Sequence, residues 1–316
     1  MEIVIKNLSI NKDLRDRFLE TEKFKYKIVK TLFIKRMVLY PKYFFISLML
    51  FILKFFNLSI KICCKTFWGQ QYNLVLPEPV SSEIFRFKYI DESVTNYIIN
   101  CVKKNDIVVD IGAHYGFFSL LMNKIVGLNG QVYSFEPSKK TFNILKLNSK
   151  DTQINPYNLG VWKSNTKLTI NDNGIENSAF NSFKGETRNQ NLHNKSIDTY
   201  EIEVISLDTF FKKNNVIPNF IKIDAESSED EVIMGMQNIL KKYKPNLCVE
   251  LGDMKVVNTV NSKTIINKLI KLNYVPIEWK SGELSIHNIR KTYSYCNLLF
   301  IDKSKIKLYE IRKSNV

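Results

Sequence analysis

The chain has 316 residues, 45% apolar and 12% aromatic, which excludes a wholly disordered protein and leaves room for one large domain plus an extension, or two modest domains. Its formal net charge is +15, an excess that suits nucleic acid or an anionic membrane surface as a partner. The five cysteines (Cys63, Cys64, Cys101, Cys248, Cys296) are odd in number and include no C-x-x-C pair, so neither a disulfide framework nor a zinc centre is expected and a reducing, cytoplasmic compartment is the simplest reading.

Residues 1–80 carry 14 Lys and Arg against 6 Asp and Glu and read as a basic helical extension, with Leu14, Phe18, Ile28 and Leu32 at helix-compatible positions. The first long apolar stretch, Tyr43–Phe56, starts too far in for a secretory signal. Its longest uncharged run, Tyr43–Leu53, has 11 residues, short of the ~20 that span a bilayer. Lys35, Arg36, Lys42, Lys54, Lys61 and Lys65 flank or interrupt it, the layout of a helix lying in a membrane interface. The expectation is peripheral attachment of residues 24–65 to an anionic membrane surface, at its inner face. Packing on the main domain, or a span with snorkelling lysines, are the alternatives.

Leu74–Pro79 reads as a linker or edge strand and Ile84–Tyr89 as an extended segment. The main domain is placed at 81–303 and a basic tail at 304–316. Asp91 offers an N-cap to a helix carrying Val94, Tyr97, Ile98 and Val102. Ile107–Val109 then form a short β-branched run typical of a buried parallel strand. Asp110 closes it, Gly112 and Gly116 follow in a turn, and Phe117, Leu120, Leu121 and Ile125 recur at helical spacing. A second strand, Val132–Phe135, ends on Glu136. This is one crossover unit of a doubly wound sheet.

Glycine lets backbone pass close beneath a ligand, and a carboxylate at the tip of the next strand can accept both hydroxyls of a ribose. The unit therefore predicts a nucleoside-containing cofactor. A dinucleotide site wants G-x-G-x-x-G, whereas here an acid precedes the first glycine and the middle glycine is missing. That acid would repel a diphosphate and suits an ammonium group. S-adenosylmethionine is thus favoured over NAD, with Asp110, Gly112, Ala113, His114, Gly116 and Glu136 as candidate contacts.

Beyond this unit, Ser138 caps a helix through Leu147, and Ile154–Trp162 fits a third strand and its exit loop. Two β-like runs, Lys167–Ile170 and Tyr200–Ile205, bracket an Asn-rich insert read as a loop over the strand ends, mobile or substrate-binding. His193 within it reads as a plain surface histidine. Ser206–Lys213 reads as a capped helix. Phe220–Asp224 and Asn246–Leu251 are further apolar strands carrying acids at their ends. Between them a helix starts at Ser227 or Ser228 and runs to Leu240. Ile265–Leu272 is helical, and Tyr274–Ile277 and Asn297–Ile301 are the last strands.

The blocks V-V-D-I-G-A-H-Y-G-F-F-S-L (108–120), V-Y-S-F-E-P (132–137), I-S-L-D-T-F (205–210) and F-I-K-I-D-A-E-S-S-E (220–229) occur in an order that resembles the FkbM-type family of S-adenosylmethionine-dependent methyltransferases, over roughly residues 85–302. The resemblance implies an α/β class I methyltransferase (Rossmann-like) fold: a mostly parallel seven-stranded sheet with an antiparallel last hairpin and helices on both faces. It implies O-methylation of a hydroxyl-bearing small molecule, sugar or lipid-linked glycan. By the same resemblance Asp110, Gly112 and Gly116 line the methionine end of the cofactor, Glu136 holds the ribose, and Asp224 and Glu226 face the sulfonium. The family reads D-x-E-G-x-E where this chain has Ser227; if that glycine served a turn with φ > 0, the serine costs about 1 kcal/mol.

Asp224 and Glu226 are the candidate bases for the acceptor hydroxyl; ordering the turn and capping the next helix are their structural alternatives. His114 is a base or, more simply, a neutral hydrogen-bonding group, and Glu250 is structural or acceptor-orienting. No metal-ligand spacing is visible, so no metal is expected. An NAD-dependent oxidoreductase and a non-catalytic, membrane-docked module are the competing functions. Nucleic-acid methylation is disfavoured because no N/D-P-P-Y/F tetrapeptide occurs. Nothing in the sequence specifies an oligomeric state.

Overall fold

The computed structural model describes residues 12–183, 198–253, 259–280 and 282–308; His193 and the part of the Asn-rich insert from residue 184 onward lie outside them. Three helices come first: α1 (Lys12–Lys30), α2 (Phe33–Leu39) and α3 (Pro41–Phe55). The hairpin β1 (Ile60–Lys65) and β2 (Gln71–Leu76) follows, then α4 (Pro79–Phe87) and α5 (Glu92–Cys101). The crossover unit is β3 (Ile107–Ile111), α6 (Phe117–Val126) and β4 (Gln131–Phe135). After α7 (Lys139–Asn148) come β5 (Ile154–Tyr157), β6 (Gly160–Val161), β7 (Thr166–Asp172) and β8 (Asp198–Ile205). The last part comprises α8 (Leu207–Asn214), β9 (Phe220–Ile223), α9 (Glu229–Met234), α10 (Gln237–Lys242), β10 (Asn246–Leu251), α11 (Ser262–Lys271), β11 (Tyr274–Lys280), β12 (Glu283–Ile286) and β13 (Cys296–Asp302).

The main sheet has the order β12-β11-β13-β10-β9-β3-β4-β5. Strands β5, β4, β3, β9 and β10 run parallel, and β13, β11 and β12 add antiparallel pairs. The fold is therefore the expected α/β class I methyltransferase architecture, with an eighth strand beyond the seven. That strand, β12, folds back from β11 at the sheet edge. Alternation along the central strands divides the core: Val108, Phe220 and Cys248 face one layer with Ile98 and Leu120, while Val109, Ile221 and Val249 face the other with Phe210, Ile233 and Ile266.

Asp91, Ser138 and Ser206 cap their helices as read, their side chains accepting from the N–H of Val94, Thr141 and Thr209. Two readings are corrected. Residues 84–87 are helical rather than extended, because Pro79 sits at the first turn of α4 and the Glu78 carboxylate accepts from the N–H of Val80 and Ser81. The single helix expected from Ser228 to Leu240 is two, broken at Gly235, where a Cβ would lie 2.1 Å from the Trp162 carbonyl oxygen. The Asp208 carboxylate caps the second by accepting from Asn238 and Ile239. Among the described residues no helix is long and apolar enough to cross a membrane, so the spanning alternative has no support. Residues from the first 80 share the main core: Phe18, Tyr72 and Leu74 pack in one cluster with Ile98, Leu120 and Val126.

Candidate active site

The carboxyl ends of β3, β4, β9 and β10 open onto a cavity of about 680 Å³, at the point where the sheet changes winding direction and open α/β folds bind ligands. Gly112, Ala113, His114, Glu136, Asp224 and Glu226 all line it, together with Glu250. Asp110 and Gly116 lie behind this lining.

One wall is main chain. The N–H groups of Gly112 and Ala113 both donate to the Phe135 carbonyl, at 3.0 Å, tying the turn to β4. Gly112 has φ +69° and a Cβ there would fall 1.8 Å from the Asp224 carbonyl oxygen, so the turn touches the end of β9 directly. Gly116, at φ +89°, leaves room for Leu145. The Glu136 carboxylate accepts from the His114 N–H at 2.9 Å and the Ser138 N–H at 3.0 Å. Burial outweighs these bonds and pushes its pKa up to about 8. His114 stacks on Tyr115 at 3.9 Å between ring centroids, and its Nε2 lies 2.8 Å from Ser178 Oγ. Desolvation, opposed by Asp224 and aided by Lys222, brings His114 down to about 3, so the ring is neutral at ordinary pH.

The opposite wall is side chain. Asp224, Glu226 and Glu250 bring carboxylate oxygens within 4.8 Å of one another. The carboxylate-ligand grouping invisible in the sequence spacing is thus assembled by two strand ends. Behind it runs a buried polar row. Ser134, Asp110 and Lys222 are cross-strand partners on β4, β3 and β9. Ser119 Oγ lies 2.8 Å from Ser134 Oγ and donates to Asp110 at 2.6 Å. Lys222 Nζ lies 3.3 Å from Asp110 and 3.2 Å from Asp224. Burial opposes the charge on Lys222, but Asp224 and Asp110 outweigh it and raise its pKa above the ordinary lysine range. Asp110 is fully buried in this row.

The loop carrying Glu226 is strained and clasped. Glu226 and Ser227 have φ +46° and +74°, so the position where the family has glycine is indeed left-handed. Glu229 Oε1 accepts from the N–H of both Ala225 and Ser227 at 3.2 Å, and Ser182 Oγ donates to the Glu226 carbonyl.

A family model described as the methyltransferase FkbM domain matches residues 110–275, more than half of the chain. The chain belongs to the FkbM methyltransferase family. The oxidoreductase alternative is set aside on this match. Hexuronic acid methyltransferase AglP of Haloferax volcanii is 26% identical over 164 residues, covering 50% of this chain and 62% of the relative, so the chain spans less than two thirds of that protein's length. Among solved structures, the methyltransferase FkbM from Methylobacillus flagellatus has 15% identity and a TM-score of 0.39, over 71% of this chain and 56% of that one. An S-adenosylmethionine-dependent O-methyltransferase from Thermotoga maritima has 10% identity and a TM-score of 0.37, over 80% and 79%.

Three contributions escaped the sequence reading of this FkbM site. Lys222 sits in an apolar strand two residues before Asp224, a period-2 spacing that puts both on one face and was its only signal. Glu229 stands in the first turn of α9, where an acid is favoured by the helix dipole alone. Lys25, on α1, lines the cavity and ion-pairs with Glu83; no local pattern links residues 58 apart.

Proposed function

We propose that the chain is an S-adenosylmethionine-dependent O-methyltransferase acting on a hydroxyl of a sugar, glycan or lipid-linked glycan. The carrying observation is the cavity's division into a main-chain wall ending on Glu136 and a facing wall of three carboxylates. The groups present fit this cofactor: a buried carboxylate for a ribose diol, the apolar Phe135, Leu159 and Val161 for a purine, and acids for an ammonium and a sulfonium. When bound, S-adenosylmethionine supplies the electrophilic methyl group. Alignment of acceptor oxygen, carbon and sulfur provides most of the acceleration in such a displacement.

The Lys222 ammonium occupies one Asp224 oxygen at 3.2 Å and commits that carboxylate to an ion pair. Proton removal from the acceptor therefore falls to Glu226, with Asp224 orienting and Glu250 binding the acceptor. His114, neutral and bonded to Ser178, shapes the turn and takes no proton. The hexuronic acid substrate named for the Haloferax relative supports a sugar acceptor.

The test is methyl transfer from labelled S-adenosylmethionine into fractionated glycans and lipids. Glu226→Gln should lower the rate by about 10²–10⁴-fold, a larger effect than its loss of cofactor affinity. Stabilisation by NAD and not by S-adenosylmethionine in a thermal-shift panel would sink the cofactor assignment. Tight cofactor binding with no transfer into any fraction would leave a non-catalytic module.

A further inference from the structure

Large apolar side chains on a folded surface are normally scattered. Here they are concentrated. Of the 23 exposed large apolar residues among the described residues, 16 lie between Phe24 and Ile60. On α3, Ile46, Met49, Leu50 and Leu53 face the core, while Phe45, Leu48, Ile52 and Phe55 form a second stripe at helical spacing on the other side. That stripe is open, with Phe55 69% exposed and the adjacent Phe51 65%. Helix α2 adds Ile34 and Val38 at 75% and 72% exposure.

The sequence of this face carries charge of one sign. From Lys23 to Pro77 the sequence holds ten Lys and Arg and no Asp or Glu, and Lys35, Lys42, Lys54 and Lys61 are all exposed. Such a face disfavours a second copy of itself, because each copy brings the same excess of cations to the contact. It complements a surface that is apolar within and negative at its boundary.

We propose that α2 and α3 form a platform that docks on an anionic lipid bilayer, the apolar stripe entering the acyl boundary and the lysines meeting the headgroups. The platform adjoins the cavity. Tyr43 of α3 stacks on Phe87 at 6.1 Å, and the same Phe87 ring lies 5.2 Å from Lys25 Nζ in the cavity wall. Docking therefore sets the cavity rim beside the lipid surface. The inference rests on exposure and charge and is independent of the cofactor or the reaction.

The experiment is co-sedimentation of the full-length protein with vesicles of phosphatidylcholine alone or mixed with phosphatidylglycerol, with pelleting in the absence of vesicles as the blank. Binding to the mixed vesicles that weakens steeply with salt is expected. Lys42→Gln and Lys54→Gln should each lower the partition coefficient roughly fivefold, and Phe51→Ser with Phe55→Ser should abolish it. These side chains are exposed, so thermal unfolding and S-adenosylmethionine binding of the variants should match the parent. Retention in the supernatant with mixed vesicles overturns the proposal, as does binding unchanged by both sets of substitutions. Self-association in light scattering that Phe51→Ser removes, without lipid binding, would make the face a contact between copies and also overturn it.

Discussion

The two walls of the cavity solve the same problem with different materials. The Gly112 side is backbone: its groups are bonded to β4 and pressed against β9, and one added methyl collides with a carbonyl. The Asp224 side is made of charged side chains held by a buried lysine, a clasping glutamate and a left-handed turn. A main-chain wall fixes shape and cannot be retuned by substitution without damage to the fold. A side-chain wall can change its chemistry while the fold survives, provided buried charges stay matched.

The most severe break in this contrast is expected where the side-chain wall loses its counter-charge. Lys222→Met leaves the fully buried Asp110 without its counter-charge, and should cost about 3–5 kcal/mol in denaturant unfolding; Asp110→Asn on top of it should recover much of the loss. Gly112→Ala should cost about 3 kcal/mol or more from the clash with Asp224 and the φ of +69°, with cofactor affinity falling alongside.

Titration sharpens the contrast further. The Glu136 pKa is raised from 4.5 to about 8, so the folded state holds this proton more tightly than the unfolded chain. Its contribution to stability is fully present below about pH 4.5 and is lost as pH rises through about 8. Unfolding free energy measured across that window should fall with pH in the parent and be flatter in Glu136→Gln. A diol that donates to the carboxylate would favour its ionised form, so cofactor affinity should move the other way and rise with pH. The smallest change is Ser227→Gly, expected to stabilise by about 1 kcal/mol by relieving φ +74°, seen as a rise of a few degrees in Tm.

The central strands, their caps and the glycine turn were legible because they obey local rules: β-branched runs, period-2 alternation and side-chain oxygens before helices. What escaped was set by distance or by unusual donors. The helix at 79–87 is started by a glutamate where shorter polar residues are the usual caps. The break at Gly235 depends on Trp162, more than seventy positions earlier. Glu250 joins Asp224 and Glu226 only because β9 and β10 are neighbours. Lys222 reads as an intruder in an apolar strand until Asp110 is seen beside it across the β3–β9 pairing. The left-handed backbone at Ser227, by contrast, was readable from one departure from the family pattern.

Lys25 in the cavity rim has a consequence for assembly. The helix carrying Lys25 supplies part of a rim whose remaining pieces lie as far along the chain as Tyr295 and Asn297. The pocket can reach its final outline only after everything from Lys25 to Asn297 has been made, so a nascent chain, or one clipped beyond Lys25, should present an unfinished mouth however well its sheet has formed.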